Sequence, residues 1–237
     1  MDISKTTVII PTKNEEQNII SFLDSLPANI QLIVVDCSTD RTRELIQIRR
    51  PENTEVIFDE STIPAARQLG ANTTAADWLI YSDADMNYDK AYFKELDEQT
   101  VSSKVGAIMG SKLSLKDYRW YYKMYSFSMR FFAWFGLPVG SGSNMIIRKA
   151  ALEQIGGFDL SLTHSEDSDV LWRIRKAGWK VIFNGKLKVY ETDHRRLQQG
   201  VLKKFIHGSL RAFFLITGIN KKKVQQSDWG YWKNEKK

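Results

Sequence analysis

The sequence predicts an α/β protein with a mostly parallel central sheet and helices on both faces. Two observations carry this. Short, wholly apolar runs alternate through the first half with segments of helical periodicity, and acidic residues recur where those runs end. Strands covered on both faces by crossover helices read as continuous apolar runs rather than as alternating patterns.

The first strand is Val8-Ile9-Ile10. Asn14, with Gln17 three residues on, has the form of a weak capping box. Ile19, Ile20, Leu23 and Leu26 follow at helical spacing, and Pro27 stops the segment. Leu32 to Val35 is a second strand ending at Asp36. Asp40 can cap the next helix, which turns Leu45 and Ile46 inward. Val56-Ile57-Phe58 is a third strand and residues 63–73 a third helix. Trp78 to Tyr81 is a fourth strand, running into Ser82-Asp83-Ala84-Asp85. A helix with Phe93 and Leu96 inward precedes a strand around Val105 to Met109.

The chain has 237 residues, enough for one large domain or two small ones with a sizeable core. At 43% hydrophobic and 26% charged it is globular, not disordered. The net charge of +6 suits phosphate-bearing ligands or an anionic surface. Its basic residues are interleaved with acids at the strand ends and carry no nucleic-acid-binding signature, so no nucleic-acid partner is expected. One cysteine, Cys37, excludes a disulfide framework and a multi-cysteine metal site. The N-terminus lacks the pattern of a secretory leader, and no run of about 18 apolar residues is present. The expected location is cytoplasmic, with peripheral contact at the inner face of the membrane as a second element discussed below.

In open α/β sheets ligands bind at the carboxyl ends of the strands. Asp36, Asp83 and Asp85 fall there. A lone D-x-D is a weak signal, because acids also cap helices. Directly after an apolar strand, however, both carboxylates sit on rigid backbone at the ligand edge. A hard divalent ion, Mg2+ or Mn2+, takes oxygen ligands and keeps positions open for substrate phosphates.

Several further blocks extend the pattern. Val8 to Glu16 reads VIIPTKNEE. Val34-Val35-Asp36 leads to Ser38-Thr39-Asp40-Arg41-Thr42. Ala66 to Ala71 reads ARQLGA. Gly142-Ser143-Asn144-Met145 is followed by Gly156-Gly157-Phe158-Asp159, and Glu166-Asp167-Ser168-Asp169 runs into Arg173 to Gly178. In this order, over roughly residues 5–195 and at ordinary loop lengths, the sequence resembles the family 2 glycosyltransferases of the GT-A, Rossmann-like fold.

The resemblance implies a metal-dependent, inverting transfer of a sugar from a nucleotide-diphosphate donor, typically a UDP-sugar, to a hydroxyl of a glycan or lipid-linked acceptor in polysaccharide biosynthesis. It places Pro11, Thr12 and Glu15 around the base and ribose, Asp36 on the nucleobase and Arg67 on the nucleotide or its phosphates. Asp83 would lie near the ribose and Asp85 would hold the metal. Asp167 would be the base, with neighbouring Glu166 orienting base or acceptor. Acids at the start of a helix also favour the macrodipole, so that pattern alone does not single out Asp167; Leu171, Trp172 and Ile174 would give that helix its core face. The resemblance further implies His194 as a metal ligand, and Arg195 or Arg196 as neutralising the leaving diphosphate. One departure stands out: Asp36-Cys37-Ser38 is a residue shorter than the usual family segment and lacks its glycine, which leaves the nucleobase open.

A sugar-nucleotide-forming nucleotidyltransferase would carry a glycine-rich basic loop after the first strand. Here that loop is Pro11 to Glu16, without glycine. A non-catalytic scaffold of the same fold would have no need of Asp83, Asp85 and Asp167.

The expected organisation is a catalytic domain over 1–196, with a nucleotide-binding half to about residue 110 and an acceptor half over 111–196, then an amphipathic C-terminal region and basic tail over 197–237. Residues 118–135 read YRWYYKMYSFSMRFFAWF, with Arg119, Lys123, Ser126 and Arg130 on one helical stripe. Residues 202–217 repeat the theme, with Lys204, His207 and Arg211 on one face, and Lys221-Lys222-Lys223 follows. Such stretches fit a bilayer interface, a homo-oligomer, or helices packed on the catalytic domain.

Overall fold

The computed structural model describes residues 1–192 other than Val139 and His164, together with Leu197. His194, Arg195, Arg196, the segment 202–217 and the lysine run lie outside the described residues.

Eight strands form one sheet: β1 (Thr6–Thr12), β2 (Gln31–Asp36), β3 (Thr54–Phe58), β4 (Trp78–Tyr81), β5 (Met86–Tyr88), β6 (Val105–Leu113), β7 (Met145–Arg148) and β8 (Lys180–Glu191). Their order is β3-β2-β1-β4-β7-β6-β8-β5. β3, β2, β1 and β4 run parallel. β7 is inserted antiparallel between β4 and β6, β6 and β8 are parallel, and β5 closes the edge antiparallel to β8. The parallel half matches expectation. The reversed strands are short or follow long loops, and their direction is not written in an apolar run.

The helices are α1 (Ile19–Asp24), α2 (Thr42–Arg49), α3 (Ile63–Thr73), α4 (Tyr92–Asp97), α5 (Arg119–Trp134), α6 (Lys149–Gln154) and α7 (Glu166–Lys176). Alternation along the strands sorts two cores. Val8, Ile10, Leu32, Val34 and Ile80 face Ile19, Phe22, Ile46, Tyr92 and Leu96 of α1, α2 and α4. Ile9, Ile33, Val35, Leu79 and Tyr81 face Ala66, Met129, Leu152, Leu171 and Ile174 of α3, α5, α6 and α7. Successive side chains on a strand point to opposite faces, so each apolar run serves both layers. Gly70 of α3 lies against Ile9, and a Cβ there would meet the Ile9 side chain. The absence of a side chain lets α3 approach β1.

Three local expectations are corrected. Asn14 does not cap a helix. It sits in the left-handed region at φ 56°, its side-chain Oδ1 accepts from the Thr39 N–H, and α1 begins only at Ile19. Asn14 spans two loops, and that tertiary contact outcompetes a local cap. Ser126 does not share the exposed stripe of α5: it is buried, and its hydroxyl donates to the Lys112 carbonyl at 2.8 Å. Trp172 is only half-buried and lies under Lys176, while Val170 takes the core position on α7. Asp40 behaves as expected, accepting from the Thr42 N–H at the start of α2 (3.0 Å).

Candidate active site

The carboxyl ends of β1, β2 and β4 meet the start of α7 and the ends of β6 and β8 at one edge of the sheet. At the β1–β2 end, Asp36 is fully buried. Its Oδ1 accepts from Thr12 Oγ1 (2.7 Å) and Ser38 Oγ (2.6 Å), and its Oδ2 accepts from Arg43 Nε (3.2 Å) and Nη2 (3.0 Å). The Arg43 guanidinium in turn covers the Phe58 ring at 4.9 Å. Pro11 is half-buried beside Val35, and the Glu15 N–H donates to Thr42 Oγ1 (2.8 Å) while its carboxylate accepts from Asn18 Nδ2.

Asp83 and Asp85 follow β4. Asp83 accepts from Arg67 Nη2 at Oδ1 (3.0 Å) and from Ser143 Oγ at Oδ2 (2.6 Å). Arg67, on α3 and only 3% exposed, also donates through Nη1 to Glu166 Oε1 at 2.6 Å. It therefore ties the D-x-D to the first turn of α7. Burial alone would lower the proton affinity of Arg67, but Glu166, Asp83 and Asp167 outweigh it and hold the guanidinium charged. Gly142 sits against this guanidinium, and a Cβ at 142 would run into it.

The Asp85 side chain behaves differently. Among the described residues its buried Oδ1 has no hydrogen-bond partner, and its backbone carbonyl accepts from the Thr192 N–H (2.9 Å). Burial pushes its carboxyl up to about 8; Asp83, Glu191 and Glu15 add to the rise and Lys112 opposes it. Lys112 of β6 reaches in from the far side, pairing with Glu191 of β8 at 3.0 Å and donating to Ser143 Oγ at 3.2 Å. Its ammonium is held charged: desolvation acts against it, but Glu191, Asp85 and Asp83 outweigh that cost.

Asp167 lies in the first turn of α7. Its Oδ2 accepts from the Gly142 N–H (2.9 Å) and its Oδ1 from the Ser168 N–H (2.6 Å). Burial raises its carboxyl to about 6, with Glu166 adding, and with Arg67 and the two amide hydrogen bonds opposing. Asp169, two residues on, is a structural acid: it pairs with Arg173 at 2.7 Å across one helical turn. One helix start thus carries acids with different surroundings. Among the described residues, Asp167 combines burial with an acidic neighbour and no direct cation, unlike Glu166 and Asp169.

Residues 7–156 match the family model described as glycosyl transferase family 2. The chain belongs to that family. As a family 2 member it is a glycosyltransferase. The succinoglycan biosynthesis protein ExoA of Rhizobium meliloti (strain 1021) is 24% identical over 233 residues, spanning 88% of this chain and 69% of that protein. Among solved structures, the mannosyltransferase PcManGT of Pyrobaculum calidifontis, in complex with GDP-Man and Mn2+, superposes with a TM-score of 0.68 at 20% identity, over 88% of this chain and 61% of that one. TarS 1-349 of S. aureus, in complex with UDP-GlcNAc, gives 0.62 at 19% identity, over 82% of this chain and 59% of that one. This chain therefore spans less than two thirds of either solved chain, and at these identities the likeness establishes the GT-A fold.

Pro11, Thr12, Glu15, Asp36, Arg67, Asp83, Asp85, Glu166 and Asp167 lie toward one edge of the sheet. Two of them stand apart from their expected posture. Asp36 has both oxygens engaged within the protein, and Arg67 bridges two carboxylates. Three residues of this edge went unnoticed in the sequence. Arg43 follows Asp36 by seven residues, in the first turn of α2, where a basic residue above a strand-end acid is a usable signal. Lys112 and Glu191 had none, because sheet order alone makes β6 and β8 neighbours.

Proposed function

We propose that the chain is an inverting glycosyltransferase that uses a nucleotide-diphosphate sugar, a UDP-sugar in the first instance, and an acceptor hydroxyl deprotonated by Asp167. The observation that carries this reading is the state of Asp167: a buried carboxylate at the same sheet edge as Asp83-Ala84-Asp85, with its proton affinity raised to about 6. A general base works best with a pKa near the operating pH.

The step balances with one base. The acceptor oxygen forms the new bond to the anomeric carbon from the face opposite the donor phosphate. The bond from that carbon to the phosphate oxygen breaks, its electron pair leaves with the diphosphate, and the hydroxyl proton passes to Asp167. Glu166 is fastened to Arg67, and two backbone amides fasten Asp167. The base is thereby held in one geometry, which is what converts binding into rate. No second acid is required, because a diphosphate leaves without protonation when its charge is met.

The residues present fit a divalent metal at Asp85. Its buried Oδ1 has no partner among the described residues, and the surrounding donors are oxygens. Among the described residues no group of three or more His, Cys, Asp or Glu side chains is gathered tightly enough to enclose an ion. That suits Mg2+ or Mn2+, which take one or two carboxylates and complete their shell with phosphate oxygens and water. Asp85 would hold the ion, with His194 as the second candidate, and the ion would supply positive charge to the leaving diphosphate. Arg195 and Arg196 remain candidates for the same charge. Lys112 already places a fixed cation beside this position.

Asp36, Thr12, Pro11 and Glu15 form the nucleoside end. The acceptor is proposed to be a glycan or a lipid-linked sugar, met on the cytoplasmic side of the membrane. Donor binding is tested by calorimetry with UDP and a panel of nucleotide-sugars, each with and without Mn2+. Binding of at least one, strengthened by metal, is expected; no nucleotide binding under any metal condition removes the reading.

A further inference from the structure

The outer face of α5 is an exposed apolar surface that the catalytic edge leaves unused. Trp120, Met124, Phe127, Phe131 and Trp134 recur at steps of four and three, which places them on one line along a helix. All are exposed, Phe127 at 69% and Trp134 at 82%. A contiguous apolar face of this size on a soluble domain marks an interaction surface. Arg119, Lys123 and Arg130, also exposed, form a second line along one edge of the first. The helix carries no acidic residue. Its inner face packs on β6 and β8 and touches the catalytic edge itself: Ser126 holds the Lys112 carbonyl, and Tyr122 is hydrogen-bonded to Glu191.

We propose that the outer face of α5 docks on an anionic bilayer, lying flat in the headgroup region and setting the catalytic edge beside a membrane-borne acceptor. Several features select lipid over a second copy of the chain. A self-pairing of this face would bring together two rows of like charge with no acid on the helix to meet them. An anionic leaflet supplies hydrocarbon for the apolar line and counter-charge for the basic line together. Tryptophans near each end of the stripe are the side chains that prefer the membrane–water boundary. The chain's net charge of +6 acts in the same direction at longer range. Among the described residues no helix is long and apolar enough to cross a membrane, so α5 lies on the surface rather than through it.

Flotation of the full chain with vesicles tests this without any donor, so its failure leaves the transfer reading untouched. The wild type is expected to float with phosphatidylcholine–phosphatidylglycerol vesicles at low salt, and weakly or not at all with phosphatidylcholine alone. Phe127→Ser with Trp134→Ser should cut partitioning by roughly tenfold or more, since each change withdraws a large apolar side chain from the interface. Arg119→Gln with Lys123→Gln and Arg130→Gln should remove most of the preference for anionic vesicles. All five positions are exposed, so the variants should keep the wild-type circular dichroism and donor affinity. The proposal is overturned by a wild type that stays at the bottom with anionic vesicles, or by α5 variants that float as well as the wild type. A wild-type dimer in sedimentation that the apolar variant dissolves, with no vesicle binding, also overturns it in favour of a second copy.

Discussion

Asp167, as the proposed base, answers opposing demands of function and stability. Its carboxyl is raised because burial penalises the charge and Glu166 stands beside it, against the help of Arg67 and two amides. A base must be deprotonated to act, so turnover should climb with pH through about 6 and then level off, as read in the acid limb of the kcat profile. Stability runs the other way. A carboxyl that holds its proton more tightly when folded contributes fully below its unfolded value near 3.8, and that contribution is lost as pH rises through about 6. Asp167→Asn removes the charge but keeps only one acceptor oxygen for the Gly142 and Ser168 amides, turning its NH2 toward the other. At neutral pH the relief of the buried charge offsets that lost bond, so it should melt within a few degrees of the wild type, while kcat falls by roughly 100-fold or more. Thermal melts and turnover on one preparation separate these effects. In the sequence Asp167 was legible only through its block. Helix-start acids look alike by pattern, and what distinguishes Asp167 from Asp169 is a partner, Arg173, that occupies one and not the other.

Between elements, the site is held by contacts that cross the sheet order. Gly142 gives its amide to Asp167 and its empty Cβ position to Arg67. Gly142→Ala should therefore displace a doubly paired buried guanidinium, lowering stability by about 1–3 kcal/mol and activity by more than that loss explains. A urea melt beside a turnover assay checks both. The Lys112–Glu191 pair joins β6 to β8, with 12% and 6% of the two side chains exposed. Lys112→Met leaves the buried Glu191 carboxylate without its cation, at a cost of about 3–5 kcal/mol; adding Glu191→Leu should restore most of the urea midpoint. The strands and helices that apolar periodicity could reach were legible with fair boundaries: the fourth strand and the third helix fall on Trp78–Tyr81 and Ile63–Thr73. β5, β7 and β8 were not legible at all, and a short apolar run would carry no sign for the antiparallel pairing of β5 and β7. Nor was the loop role of Asn14, or the inward turn of Ser126, since each answers a partner more than ten residues away.

At the scale of the whole molecule, a mostly apolar two-layer core positions an edge that is polar and strongly charged. Nucleotide and metal bound at that edge should stabilise the fold by mass action. UDP with Mn2+ is expected to raise the melting temperature more than either alone, and Asp85→Asn should abolish the metal-dependent part while leaving the protein folded. The proposed reaction of this family 2 chain is transfer of a sugar with Asp167 as its base. The most direct measurement pairs calorimetry with turnover on Asp167→Asn, using whichever nucleotide-sugar the wild type binds. Donor affinity within a few-fold of wild type, with transfer reduced by roughly 100-fold or more, is the predicted result. Transfer by Asp167→Asn at the wild-type rate would contradict the account.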